Sequence, residues 1–233
     1  MTISNESRAR FKNAFVPVAL AMGRAGLTPD ALTLIGFGIT VVGAVLLAMQ
    51  LWLVGGIIVF VGGAFDMFDG TLARATGKVS KLGAFMDSVF DRAGEVVVYI
   101  GIVAGLQAVG VADGPLLAAA ALGSAVMVSY ARSKSEGLGF TAGTGMAAVG
   151  IMPREVRLVV LSLGLILAGL LGTAPATVGA GAGGGAMAPG VLALFIALGI
   201  ITVGATITVI QRILHVRSQA RQQASSQPTE TNT

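Results

Sequence analysis

Cysteine is absent from the 233-residue chain, which excludes disulfide frameworks, thiolate-ligated zinc, iron–sulfur clusters and thiol nucleophiles together. Histidine occurs once, as His215, so a His-rich metal site is excluded too. Charge is scarce: Asp, Glu, Lys and Arg make up 11% of the residues, where a soluble domain carries about 25%. A chain that is 55% hydrophobic, with mean hydropathy +0.86, is neither disordered nor an ordinary cytosolic enzyme. What is left is a membrane protein of several spans, whose chemistry must rest on carboxylates, hydroxyls and basic groups. The net charge of +4 and pI near 10 favour anionic lipid or phosphate partners. So small a basic excess makes no nucleic-acid-binding face.

Charge-free stretches run over 31–65, 96–112, 114–131 and 158–211. As a single helix the first would be roughly 52 Å long, against a bilayer core of about 30 Å. It must fold back, and Gln50–Trp52 is the place, since a tryptophan is at home at the membrane interface. The last stretch is interrupted at Gly179–Gly190 by GAGAGGGAMAPG, a poor helix former. The expected fold is therefore all-α, an integral-membrane bundle of six spans near 31–49, 52–75, 80–108, 115–136, 154–172 and 190–214.

Orientation follows from the basic residues. With six spans, one side collects Arg8, Arg10, Lys12, Arg24, Arg74, Lys78, Lys81, Arg132, Lys134, Arg154, Arg157, Arg212, Arg217 and Arg221, while the other carries only Asp113. The positive-inside rule then puts both termini in the cytoplasm, with the chain a multi-pass protein of the cell membrane. Phe11, Phe15, Val18 and Met22 recur at helical spacing, so an interfacial amphipathic helix is expected over about 4–25. The domain is read as 1–218 and the polar tail 219–233 as disordered.

Five of the eleven acids, Asp66, Asp69, Asp87, Asp91 and Glu95, crowd into thirty positions at the ends of apolar helices. Ionisable groups in membrane helices are costly and point to function. Asp66 and Asp69 are i, i+3, and Asp87 and Asp91 are i, i+4, so each pair shares a helix face. Four converging carboxylates repel in a low dielectric unless cations neutralise them. An all-oxygen donor set favours Mg²⁺, Mn²⁺ or Ca²⁺, and four carboxylates suit a pair of ions. Between the pairs, small residues permit close approach and Arg74 offers a fork for phosphate oxygens.

The stretch reads Asp66-x2-Asp69-Gly70-x2-Ala73-Arg74-x8-Gly83-x3-Asp87-x3-Asp91, eight fixed residues over 26 positions. It resembles the signature of the CDP-alcohol phosphotransferases, integral-membrane enzymes of phospholipid synthesis. The resemblance implies that a CDP-linked lipid donates its phosphatidyl group to a second alcohol, releasing CMP. It implies that Asp66, Asp69, Asp87 and Asp91 hold two Mg²⁺ ions, for which Mn²⁺ can substitute, and that Asp91 is also the general base. Gly70, Ala73, Arg74 and Gly83 would contact the CDP moiety. Asp30-Ala31-Leu32-Thr33, at the mouth of the first span, and Ser80 look like further donor contacts.

Basic residues gather at three helix ends on the same side: Arg132 and Lys134, then Arg154 and Arg157 at i, i+3, then Arg212. Such a set suits an acceptor that already carries phosphate. The pattern is similar to the bacterial phosphatidylinositol-phosphate synthase branch, which implies CDP-diacylglycerol as donor and inositol 1-phosphate as acceptor. The paired arginines lie in Pro-Arg-Glu-Val-Arg, a departure from that branch, so archaeal-type inositol-phosphate and glycerophosphate-using relatives stay open. A divalent-cation transporter is the competing class, disfavoured by Arg74 among the acids. A homodimer is expected. Gly101-x3-Gly105 matches a helix-packing motif, though among 34 glycines such spacing also arises by chance.

Overall fold

The computed structural model describes residues 16–140, 146, 149–173 and 187–226. These are all-helical: a short segment over 16–24, then α1 (Pro29–Ala48), α2 (Trp52–Ala75), α3 (Lys81–Ala108), α4 (Gly114–Gly137), α5 (Arg154–Leu171) and α6 (Pro189–Ser226). Local chemistry sets the boundaries. Thr28 Oγ1 accepts from Ala31 N–H at 3.2 Å and Pro29 opens α1, the capping arrangement expected of Thr-Pro. The fold-back falls at Gln50, the one non-glycine residue with positive φ (64°) among those described. Ser80 caps α3, its hydroxyl accepting from Gly83 N–H at 2.9 Å.

The helices form a closed ring in the order α1, α2, α5, α6, α4, α3 and back to α1. All six contribute to one apolar core, including Leu47, Val59, Ile102, Ala121, Leu165 and Leu198. Much of that core lies toward the turns that join α1 to α2 and α3 to α4. It seals one end of the ring and leaves the carboxylates at the other. Outside, large apolar side chains face away from the bundle, with Leu116 74% and Val203 60% exposed, as a surface solvated by lipid requires. α1, α2, α4 and α6 are long and apolar enough to cross a membrane. α3 and α5 fall short because of the charges they carry: Lys81, Asp87, Asp91, Arg92 and Glu95 on one, Arg154, Glu155 and Arg157 on the other.

α2 and α3, consecutive in sequence, scarcely touch; each packs on α1, which stands between them. One expectation needs correction. α6 runs to Ser226 where a disordered tail from Gln219 was expected. Gln219 is buried and its amide bonds His215 Nε2 at 2.9 Å, one turn back, which carries the helix past the polar boundary; 227–233 lie outside the described residues. Only 16–24 of the expected amphipathic helix is described, and there Ala19 is buried against Leu32 and Leu72, which ties it to α1 and α2. The Gly179–Gly190 segment is largely outside the described residues.

Gly101 and Gly105 serve packing inside the chain. A Cβ at Gly101 would collide with the Ala44 carbonyl, and one at Gly105 with the Leu47 carbonyl and the Trp52 ring. A dimer would need another face. Gly101→Val should therefore cost about 1–3 kcal/mol through overpacking, seen as a lower Tm in detergent. Gly123→Ala should be silent, since nothing lies within 4 Å of its would-be Cβ. Equal Tm for both would refute this close contact.

Candidate functional site

The open end of the ring brings together the C-terminal end of α2, the N-terminal ends of α1, α3 and α5, and the connection between α2 and α3. A cleft of about 250 Å³ is lined there by Asp30 and Thr33 of α1, Asp69, Gly70, Ala73 and Arg74 of α2, and Ser80, Gly83 and Asp87 around the start of α3. Six of the eight signature residues, Asp69, Gly70, Ala73, Arg74, Gly83 and Asp87, thus share this cleft, although their helices scarcely pack on each other; Asp66 and Asp91 meet beside it on Arg154. α1 is the spacer that makes this a cleft rather than a packed seam.

Two glycines of the wall leave little room for a side chain. A Cβ at Gly70 would come within 3.2 Å of Arg74 Nη1, and one at Gly83 within 3.0 Å of Ser80 Oγ and 3.4 Å of Asp30 Oδ1. A third glycine, Gly36 on α1, leaves room for a carboxylate: its Cβ would meet Asp66 Oδ1 at 2.9 Å. Not all the expected donor contacts line the cleft. Leu32 is fully buried against Ala19 and Leu72, about 100° around α1 from Thr33. Ala31 engages the Thr28 cap through its N–H. Neither residue lines the cleft.

The carboxylates pair across helices, not along them. Asp66 Oδ2 and Asp91 Oδ1 both lie on Arg154 Nη2, at 2.7 and 2.9 Å. Asp69 and Asp87 face the cleft. Asp69 is 4% exposed and accepts from Thr33 Oγ1 at 2.5 Å and from Gly70 N–H. Thr33 therefore fixes one carboxylate rotamer, a role that spacing alone does not reveal. No three acids close on a single point among the described residues. The donor set nonetheless fits divalent cations: four carboxylates at one mouth, with Arg154 already bridging two of them as a cation should. Hard oxygen ligands of this kind select Mg²⁺ or Mn²⁺ over softer metals.

The five basic residues expected to bind acceptor phosphate are dispersed among different partners. Arg154 sits on the carboxylates. Arg157 is 2% exposed and gives Nε and Nη2 to Glu95 at 2.9 and 3.0 Å and Nη1 to Met152 O at 3.2 Å. Each of its three nitrogens is engaged, which removes it from the phosphate-binding set. Arg212, also buried, donates Nε to Val149 O at 3.1 Å and Nη1 to Val128 O, tying α6 to α4 and to the segment before α5. Arg132 pairs with Glu136 at 2.9 Å on the surface, and Lys134 is exposed. Glu95 is the functional candidate the motif misses; its place one turn beyond Asp91 on the same face was the available signal.

A family model described as CDP-alcohol phosphatidyltransferase matches residues 26–231. The chain is 37% identical over 154 residues to the archaetidylinositol phosphate synthase of Pyrococcus horikoshii, covering 66% of this chain and 77% of that one. It is 36% identical over 222 residues to the phosphatidylinositol phosphate synthase of Cutibacterium acnes, covering 90% and 95%. Among solved structures, the Mycobacterium tuberculosis phosphatidylinositol phosphate synthase with CDP-DAG bound superposes with TM-score 0.70 at 26% identity, covering 94% of this chain and 97% of that one. A second crystal structure of that protein, in complex with manganese and citrate, gives TM-score 0.70 at 26% identity over 94% and 92%.

Proposed function

Because the chain belongs to the CDP-alcohol phosphatidyltransferase family, we propose that it transfers the phosphatidyl group of CDP-diacylglycerol to inositol 1-phosphate and releases CMP. The relatives named for inositol-phosphate lipid synthesis, bacterial and archaeal alike, support this acceptor. The neighbouring structure with CDP-DAG supports the donor. The single observation that carries the reading is Arg154, a guanidinium held between Asp66 and Asp91 beside the signature cleft. It puts a phosphate-binding group next to the proposed base, and an arginine there is hostile to a cation pathway.

In this reading the CDP moiety lies in the cleft against Gly70, Ala73, Arg74, Ser80 and Gly83, with Asp30 and Thr33 at its rim. Asp66, Asp69, Asp87 and Asp91 would hold two divalent ions, Mg²⁺ with Mn²⁺ as substitute. When bound, such ions supply charge neutralisation and polarisation of the pyrophosphate. Asp91 takes the proton of the acceptor hydroxyl as its oxygen forms a bond to the phosphatidyl phosphorus, and the bond to CMP breaks. Arg154 orients the acceptor's phosphate, with Lys134 and Arg132 at the end of α4 as further basic groups for it. Arg212 supports that rim from behind. All six helices cross the membrane with both termini cytoplasmic, since the basic residues sit at the open end and Asp113 at the other. The acting form is a homodimer.

The test is CMP release from CDP-diacylglycerol with inositol, inositol 1-phosphate and glycerol 3-phosphate on one preparation. Inositol 1-phosphate should react and free inositol should not. Arg154→Ala should lower acceptor kcat/KM while donor KM barely moves. A charge-assisted contact is worth about 1.5–3 kcal/mol, or roughly ten- to a hundredfold. Preference for free inositol would refute the phosphate contact, and preference for glycerol 3-phosphate would change the acceptor.

A further inference from the structure

We propose that Glu95 and Arg157 are a positioning pair that holds Arg154 and Asp91 in register for the acceptor step. The inference rests on the reading above and concerns residues outside the family signature. α3 and α5 are not neighbours in the ring. Between them lies a cavity of about 50 Å³, lined by Phe37, Phe90, Val98 and Leu161 together with the charged residues. That is room for a few waters, and the apolar core that α3 and α5 share begins only at Val98 and Leu161, beyond the charged ends of the two helices. Two ion pairs cross this gap, Asp91–Arg154 at 2.9 Å and Glu95–Arg157 at 2.9 Å. Asp91 and Glu95 are i, i+4 on α3, and Arg154 and Arg157 are i, i+3 on α5, so the pairs form successive rungs between two helix faces.

The rungs are unequal. Arg154 is the first residue of α5, and Pro153 before it supplies no side-chain cap. A cation at a helix N-terminus meets the positive end of the dipole, in the turn most prone to fray. Its hold on the carboxylates is through one nitrogen, Nη2, and it is partly open to solvent. Arg157, one turn in, is buried and forked onto both oxygens of Glu95, and it also ties Met152 O just before the helix. A bidentate fork fixes rotation as well as distance. The inner rung therefore sets where the outer rung stands. Glu95 touches no reacting atom in this scheme; it acts through Arg157 on the start of α5.

Glu95→Gln should reduce acceptor kcat/KM about ten- to a hundredfold, the scale of a misplacement near 1 Å, with donor KM within about twofold. Glu95→Leu with Arg157→Met replaces the pair by apolar groups, a change that buried pairs often tolerate in stability, and should show the same kinetic loss in a folded protein. Because the chain has no cysteine, Val89→Cys on α3 and Val159→Cys on α5, both exposed, can carry spin labels. Their distance distribution should broaden in either variant. Charge exchange, Glu95→Arg with Arg157→Glu, should narrow it and recover part of the rate. Wild-type acceptor kinetics in a folded Glu95→Gln or double apolar variant would overturn the proposal. So would a kinetic loss with an unchanged distance distribution, or failure of both variants to fold, which would make the pair structural only. Asp91→Asn run alongside separates the two levels: if that variant turns over normally, the functional reading itself fails, whatever Glu95 does.

Discussion

Asp91→Asn should abolish turnover, with CMP release down at least about a thousandfold, while CDP-diacylglycerol still binds. A positioned general base contributes about 10²–10⁴-fold, and this substitution also removes a carboxylate from the cation site. Asparagine keeps the size of the side chain and can still meet Arg154 Nη2, which now lies 2.9 Å from Asp91 Oδ1, so the helix ends should stay in place. The donor cleft is lined by residues other than Asp91, which is why binding should persist. Single-turnover CMP release at saturating Mg²⁺, with donor binding measured separately, checks both halves. Near wild-type release would remove Asp91 from the role of base.

Exhaustive chelation should bring activity to background, and Mg²⁺ or Mn²⁺ should restore it. Asp66, Asp69, Asp87 and Asp91 crowd one mouth, with Arg154 bridging two of them. That guanidinium offsets at most one of the four charges, and although Arg74 and Lys78 also line the cleft, a pyrophosphate-bearing donor adds further negative charge; in a low dielectric such repulsion is large. Divalent ions resolve it. Titration of Mn²⁺ followed by its electron paramagnetic resonance signal gives a readout apart from turnover: Asp69→Asn should weaken binding, and Thr33→Val should weaken it less, because Thr33 only orients Asp69. Activity that survives chelation would count against the whole site.

The sequence carried the carboxylate signature in plain view for a simple reason. The motif lies on two consecutive helices, and i, i+3 or i, i+4 spacing reports a shared face whatever those helices pack against. The starts of the spans expected near 31 and 80 rest on equally local chemistry, because Thr28 and Ser80 accept from N–H groups within a turn of themselves. The tail was misjudged where polarity was read as disorder: Gln219 bonds back to His215 and is buried, and a hydropathy profile does not register such a bond.

Amino-acid order alone thus determined the all-helical class, the long apolar helices, the family signature and the end of the bundle where charge collects. These depend on hydropathy and local spacing, quantities contained in a stretch of a few turns. Partnership was decided by the tertiary structure. Arg154 meets Asp66 from 88 residues away and Arg157 meets Glu95 from 62, so two arginines three residues apart take different tasks. Arg212 turns inward to backbone carbonyls, Leu32 goes to the core while Thr33 reaches Asp69, and Gly101 and Gly105 are occupied by α1. The physical reason is that a side chain's partner depends on how its helix is rotated and which helix stands opposite. Both are fixed only when six helices bury their apolar faces together in one ring.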